Sequence, residues 1–288
     1  MSRGREARVI PTVLGLRLNM TPRPPRCHHE MRQSDLTINT ISRMRDLSDI
    51  RPAADPAASD ELDQRVLTFW RQVDRCTECP TIAPWRKFPL GCRGTARFGL
   101  IILGEAPGRI SLEHGRPFSN PRNLMIRRAF ARAVAPRKIE PEEILYFSDT
   151  VKCWPSSPTG ANRSPGAAEN STCVARHLRR ELELIGPRLI IAFGARAAAA
   201  VLGVPVKLTA MHGKPTVSNA GIRVIPLMHP STINIAGMRR AGIQSLDDYE
   251  AQLAGLMREE IAPALAQLDA SLTRIARRRI DRTGRGES

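Results

Sequence analysis

The sequence predicts an α/β fold, a parallel sheet with helices on both faces, and three observations predict it. Four apolar runs have the unbroken hydrophobicity of strands buried on both sides: residues 98–104 (FGLIILG), 144–149 (ILYFSD), 188–194 (RLIIAFG) and 222–227 (IRVIPL). Helical spacing fills the intervals, over about 122–135, 166–185 and 195–202. Strand and helix alternate, as parallel sheets require for their crossovers.

Taken in order, residues 1–58 are rich in Arg, Pro, Ser and Asp and carry little periodicity. They read as an extension, disordered or in part misassigned, since Met20, Met31 and Met44 are alternative starts. Val9 to Leu16 is a short apolar stretch behind a basic start, but no small-residue cleavage site follows, so it is not read as a signal peptide. A helix is expected from about Ser59 to Arg75, with Leu62, Val66, Phe69 and Val73 on one face, and it delivers Cys76 and Cys79. Residues 59–244 form the expected globular domain. Beyond Ser245 the spacing of Leu246, Tyr249, Leu253 and Leu256 is helical, Pro263 interrupts it, and Leu265, Leu268, Leu272 and Ile275 resume it. Residues 245–288 therefore read as two helices or one kinked helix with a basic tail.

The net charge of +16 is unevenly placed. Residues 1–60 carry +3, residues 245–288 carry −1, and residues 61–244 carry +14 (27 basic against 13 acidic side chains). A basic globular core is the footprint of a polyanion, and nucleic acid is the expected partner. No run of 18 apolar residues occurs, so no membrane span is expected and the cytoplasm is the default compartment. Disulfides are disfavoured there, which leaves metal binding as the leading explanation for paired cysteines.

In parallel α/β sheets the ligand sits beyond the carboxyl ends of the strands. The peptides to read are therefore GEAPG (104–108), SDTVKC (148–153), GARAA (194–198) and MHPS (228–231). GEAPG lacks a dinucleotide fingerprint; its turn offers the backbone of Gly104 and Ala106 to an electron-rich ligand. Glu105 is either functional or a solvated turn residue. Phe118, in the loop GRPFSN, is either local packing or a stacking platform for a base. His229 follows the fourth strand, where a functional role gains on a structural one. Asp149 ends the second strand, where an unpaired carboxylate would cost roughly 1–3 kcal/mol. Cys76 and Cys79 form a C-x-x-C, with Cys153 and Cys173 downstream. Four thiolates at these spacings suit zinc or an iron–sulfur cluster equally, with unliganded buried cysteines as a third reading. Cys27 and Cys92 lack partners at such spacings and read as bystanders.

The ordered set CTEC, GEAPG, GRPF, SDTVKC, ANRSP, Cys173 in a helix, IIAFGARAA and HPS resembles the uracil-DNA glycosylase superfamily, in particular its iron–sulfur type, often called family 4. The resemblance spans about residues 70–235. It implies a three-layer α/β/α fold around a four-stranded parallel sheet. It implies a [4Fe–4S] cluster on Cys76, Cys79, Cys153 and Cys173, and a pocket that receives an extruded base. By the same resemblance Phe118 stacks on uracil, His229 faces a uracil carbonyl, Asn162 lies near the water and sugar, and Glu105 stabilises the sugar cation or positions water. The segment after HPS matches a minor-groove loop, with Ile235 or Met238 as an apolar wedge and Arg239 and Arg240 on phosphates.

The chain also departs from the family's pattern. Ser111 and Leu112 occupy the places of an acidic pair, with Glu113 one step later, and Ser119-Asn120 replaces Val-Gly. Asp149 stands where the family has an Asn that reads uracil O4 and N3–H. The expectation is a monomeric, monofunctional uracil-DNA glycosylase of base-excision repair, acting on single- or double-stranded DNA and associated with the nucleoid through it. No Lys is placed for a lyase step. The alternatives are a non-catalytic iron–sulfur protein that recognises damaged or abasic DNA, motivated by Ser111, and a glycosylase with altered base preference, motivated by Asp149.

Overall fold

The computed structural model describes residues 56–79, 82, 93–230 and 235–283; Cys27, Cys92 and nearly all of the 1–58 extension lie outside them. Along the chain the elements are α1 (Pro56–Asp74), β1 (Leu100–Gly104), α2 (Arg109–Glu113), α3 (Leu124–Val134), β2 (Tyr146–Asp149), α4 (Ala167–Cys173), α5 (Arg179–Ile185) and β3 (Leu189–Phe193). There follow α6 (Ala195–Leu202), α7 (Leu208–Met211), β4 (Thr216–Val217), β5 (Arg223–Leu227), α8 (Ile235–Arg240) and α9 (Leu246–Thr283). A π segment, Val174–Leu178, joins α4 to α5.

The sheet runs β2-β1-β3-β5-β4. Its first four strands are parallel, and each comes from one of the four apolar runs. Side chains alternate between the faces, as the pleat demands. Leu100, Ile102, Phe147, Ile191, Phe193 and Ile225 pack under α3 and α9. Ile101, Leu103, Tyr146, Ile190, Ala192 and Val224 pack against α1, α5 and α6. The result is the expected three-layer α/β/α arrangement.

The structure corrects the strand count. The two-residue β4 pairs antiparallel with β5 and makes the sheet five-stranded. Gly221, at φ +74°, turns the chain between them. Two residues, one of them the exposed Val217, leave no apolar run to detect.

Of the two readings for the C-terminal region, a single helix is found: α9 passes through Pro263. A mid-helix Pro costs about 3 kcal/mol. Met257, Ile261, Ala264 and Leu265 are buried in the core shared with α3. Each large apolar side chain contributes roughly 1.5–3 kcal/mol, so packing outweighs the cost of the proline.

Candidate functional site

Gly104 and Asp149 are register partners at the carboxyl ends of β1 and β2. A Cβ built on Gly104 would lie 2.6 Å from Asp149 Oδ1 and 3.0 Å from Phe118 Cζ. The Asp149 carboxylate and the Phe118 ring thus close on one backbone position that only glycine fits. The turn that follows is fixed by Thr150, whose N–H and Oγ1 both donate to Gly104 O at 2.9 and 3.0 Å. Val151 N–H donates to Glu105 O at 2.9 Å.

Phe118 has φ +51°, and it is the one non-glycine residue with positive φ among those described. A bulky residue in that region costs about 1–2 kcal/mol. The flanking peptides impose it. Arg127 Nη2 donates to Pro117 O at 2.6 Å, and Ser119 N–H donates to Ser111 Oγ at 3.2 Å. Arg127 is itself ion-paired with Glu142 at 2.7 Å. The ring rests against Phe147 and Phe193, with centroids 5.8 and 6.0 Å away. Ser111 is buried and anchors this loop through its bond from Ser119 N–H. The surroundings hold this strained backbone in place.

Asp149 is 4% exposed. Its Oδ2 lies 3.6 Å from Arg93 Nη1, and Arg93 stacks its guanidinium 3.7 Å over the Trp70 ring. Burial pushes the Asp149 carboxyl up to about 6, against the pull of Arg93 and Lys152. Burial thus holds this carboxyl above the usual carboxylate range.

Below Asp149 lies a buried polar network. Lys152 Nζ donates to Asp149 O at 2.5 Å and to Ser148 Oγ at 2.9 Å, and it pairs with Glu181 Oε2 at 2.5 Å. Tyr146 OH and Ser148 Oγ also donate to Glu181, each at 2.8 Å. Lys152 and Glu181 are both 0% exposed.

His229 follows β5, and burial pushes its imidazole down to about 4, so it is neutral at physiological pH. Glu105 Oε1 accepts from Arg196 Nη1 at 2.6 Å. Arg196 also donates to Pro165 O, tying the first turn to the 154–166 loop. Asn162 Oδ1 accepts from Arg109 N–H at 3.0 Å and from Trp154 Nε1 at 2.8 Å. It joins the same two loops. Arg239 and Arg240 are exposed on α8. Met238 does not provide the expected wedge: it is 4% exposed and lies in the hydrophobic core. Ile235 opens α8, but its side chain is outside the described residues.

Cys76, Cys79, Cys153 and Cys173 line one pocket with Val73, Ile82 and Val151. None of the four forms a disulfide. The end of α1, the loop after β2 and the end of α4 bring them together, and the π segment begins directly after Cys173. Such segments cluster at functional sites. Lys152 N–H donates to Cys173 Sγ at 3.3 Å. Burial pushes the Cys79 and Cys173 thiols up, and neighbouring cysteines add to it. Among the described residues no three His, Cys, Asp or Glu side chains converge as ligands of one ion. The donor set, four thiols in an apolar pocket, fits the group the resemblance implies.

Sequence reasoning missed Arg93, Arg127 and Arg196. Arg196 sat in a peptide already singled out, GARAA. The other two carry no local signal, since an Arg in a basic chain reads as surface charge.

A model of the uracil DNA glycosylase superfamily matches residues 89–250. The chain is 30% identical over 161 residues to the type-4 uracil-DNA glycosylase of Thermotoga maritima, covering 56% of this chain and 78% of that protein. It is 40% identical over 194 residues to the type-5 uracil-DNA glycosylase of Pyrobaculum aerophilum, covering 58% and 83%. It is 26% identical over 170 residues to the type-4 uracil-DNA glycosylase of Archaeoglobus fulgidus, covering 57% and 80%.

Proposed function

Since the chain belongs to the uracil DNA glycosylase superfamily, we propose that it extrudes uracil from DNA and hydrolyses its N-glycosidic bond in base-excision repair. The observation that carries this is the convergence of Gly104, the strained Phe118 and Asp149 beyond β1 and β2. An aromatic face takes the base's ring, and a buried carboxyl group reads its edge. As the C1′–N1 bond breaks, its electron pair leaves with the base and the sugar becomes cationic. Water supplies the oxygen that bonds C1′, and its proton passes to Glu105 or solvent and finally to the departing base, which leaves as neutral uracil. The neutral His229 donates a hydrogen bond to the base as it becomes anionic. Glu105, braced by Arg196, brings a carboxylate to the turn for the sugar cation or the water. Asn162 holds the 154–166 loop against that turn, and Arg239 and Arg240 meet phosphates.

Cys76, Cys79, Cys153 and Cys173 would hold a [4Fe–4S] cluster. When bound, the cluster supplies a cross-link between α1, the loop after β2 and α4, and no step of hydrolysis passes through it. Anaerobically purified protein is expected to contain about four irons per chain and to absorb broadly in the visible. Stoichiometric zinc without iron would overturn the assignment.

Asp149 sets the test of the whole reading. An ionised carboxylate only accepts hydrogen bonds, so it could take uracil N3–H but would set a lone pair against O4. The protonated acid satisfies both. Burial and Glu181 favour that form; Arg93 and Lys152 oppose it. A base closing the pocket removes more water and favours the neutral acid further. Release of uracil should therefore fall as pH rises through the Asp149 pKa, about 6 before DNA binds. Asp149→Asn should retain activity and lose that limb. Single-turnover rates on uracil and cytosine oligonucleotides across pH decide it. One shared pH profile and one shared base preference would remove Asp149 from base reading, and no release of uracil by either protein would remove the glycosylase.

A further inference from the structure

The peptide that precedes His229 is held from both ends by elements outside the parallel sheet. Met228 N–H donates to His212 Nδ1 at 3.0 Å. Met228 C=O accepts from the Tyr249 hydroxyl. His212 lies directly after α7, and Tyr249 lies near the start of α9. The two rings pack edge to face, with centroids 5.3 Å apart and planes at 70°. Tyr249 is 1% exposed.

Both bonds are needed because the sheet ends one residue earlier. The last carbonyl of β5, Leu227 O, accepts from Gly194 N–H. Met228 is past the ladder, and without His212 and Tyr249 its two backbone groups would be buried and unmatched, each costing about 1–3 kcal/mol. Pro230 restricts His229 to extended conformations. With one side restricted by proline and the other by the clamped peptide, the backbone of His229 has little freedom left.

The contact also fixes the chemical state of His212. A backbone N–H can only donate, so Nδ1 must present its lone pair and the proton must sit on Nε2. Burial lowers the His212 pKa and keeps the ring in this neutral form.

We propose that His212, with the Tyr249 hydroxyl, is a positioning residue that aims His229 at the departing base by clamping the Met228 peptide. The inference rests on the reading of His229 as the donor to that base. It assigns a catalytic consequence to two side chains that touch no substrate. A misplacement of about 1 Å can cost about 10²-fold in rate, so losing one arm of the clamp should cost about 10–100-fold.

Single-turnover release of uracil and DNA affinity are measured for His212→Leu, His212→Asn and Tyr249→Phe, each alone and combined with His229→Ala. His212→Leu should slow release about 10–100-fold with DNA affinity unchanged. His212→Asn, whose amide oxygen falls near the place of Nδ1, should recover most of the rate. In the His229→Ala background His212→Leu should add nothing, because there is no imidazole left to aim. If His212→Leu does not fold, Tyr249→Phe, which removes one oxygen atom, carries the same comparison. Equal losses in both backgrounds, or no loss from either single change, would overturn the inference. If His229→Ala itself leaves release unchanged, the reading of the site has failed instead, and the clamp has no catalytic role.

Discussion

His229→Ala should slow single-turnover release of uracil by about 10²–10³-fold while leaving DNA binding intact. Cleavage puts negative charge on the base at the moment it departs, and a fixed donor is worth most there. Imidazolium would be the stronger donor but the wrong one for this site. Burial holds His229 at about 4, so charging it at pH 7 would cost about 4 kcal/mol. A neutral ring donates without that cost. The rate should therefore show no His229 limb above about pH 5, and any limb near 6 belongs to Asp149. Full activity of the Ala variant, or a limb near 6.5 that the variant abolishes, would contradict this role.

Lys152→Met should destabilise the fold by about 3–5 kcal/mol, because it strands Glu181 as a buried carboxylate without its cation. The surrounding hydroxyls do not replace the charge. Tyr146 and Ser148 already donate to Glu181 in the native network. Adding Glu181→Leu should restore much of the loss, since an apolar pair of similar volume avoids burying two ions. Urea midpoints of the single and double variants, taken anaerobically, make the comparison. A single variant as stable as the parent would show that the pair is not held as ions. The double variant should still release uracil slowly, because Asp149 O has lost the donor that Lys152 Nζ provides.

The parallel core was legible because its four strands are buried on both faces and so read as unbroken apolar runs. The antiparallel edge was not, because Thr216 and Val217 are too few to make a pattern. The site divides in the same way. Asp149 and Cys153 stand out in the sequence by residue type at or just after a strand, Cys76 and Cys79 by their C-x-x-C spacing, and Phe118 as an aromatic in a Gly/Pro loop. Their supports do not. Arg127 reaches Pro117 O from α3, and Arg93 reaches Asp149 across 56 residues of chain. Met238 misled because an apolar residue between polar neighbours looks the same whether it faces DNA or the core. Only the tertiary packing, which puts Met238 in the core, decides it.

The contact between α3 and α9 has a consequence for biosynthesis. Met125, Ile126, Ala129 and Phe130 of α3 are covered by a helix that begins more than a hundred residues later. A ribosome moving from the amino end makes that apolar surface long before it makes Tyr249, Leu253 and Met257. The sheet strands can already pair while one face of the nascent chain is still greasy and open. Such half-covered intermediates are the species that aggregate. Translational pausing ahead of codon 246 would therefore be expected to lower soluble yield more than the same pause after codon 265.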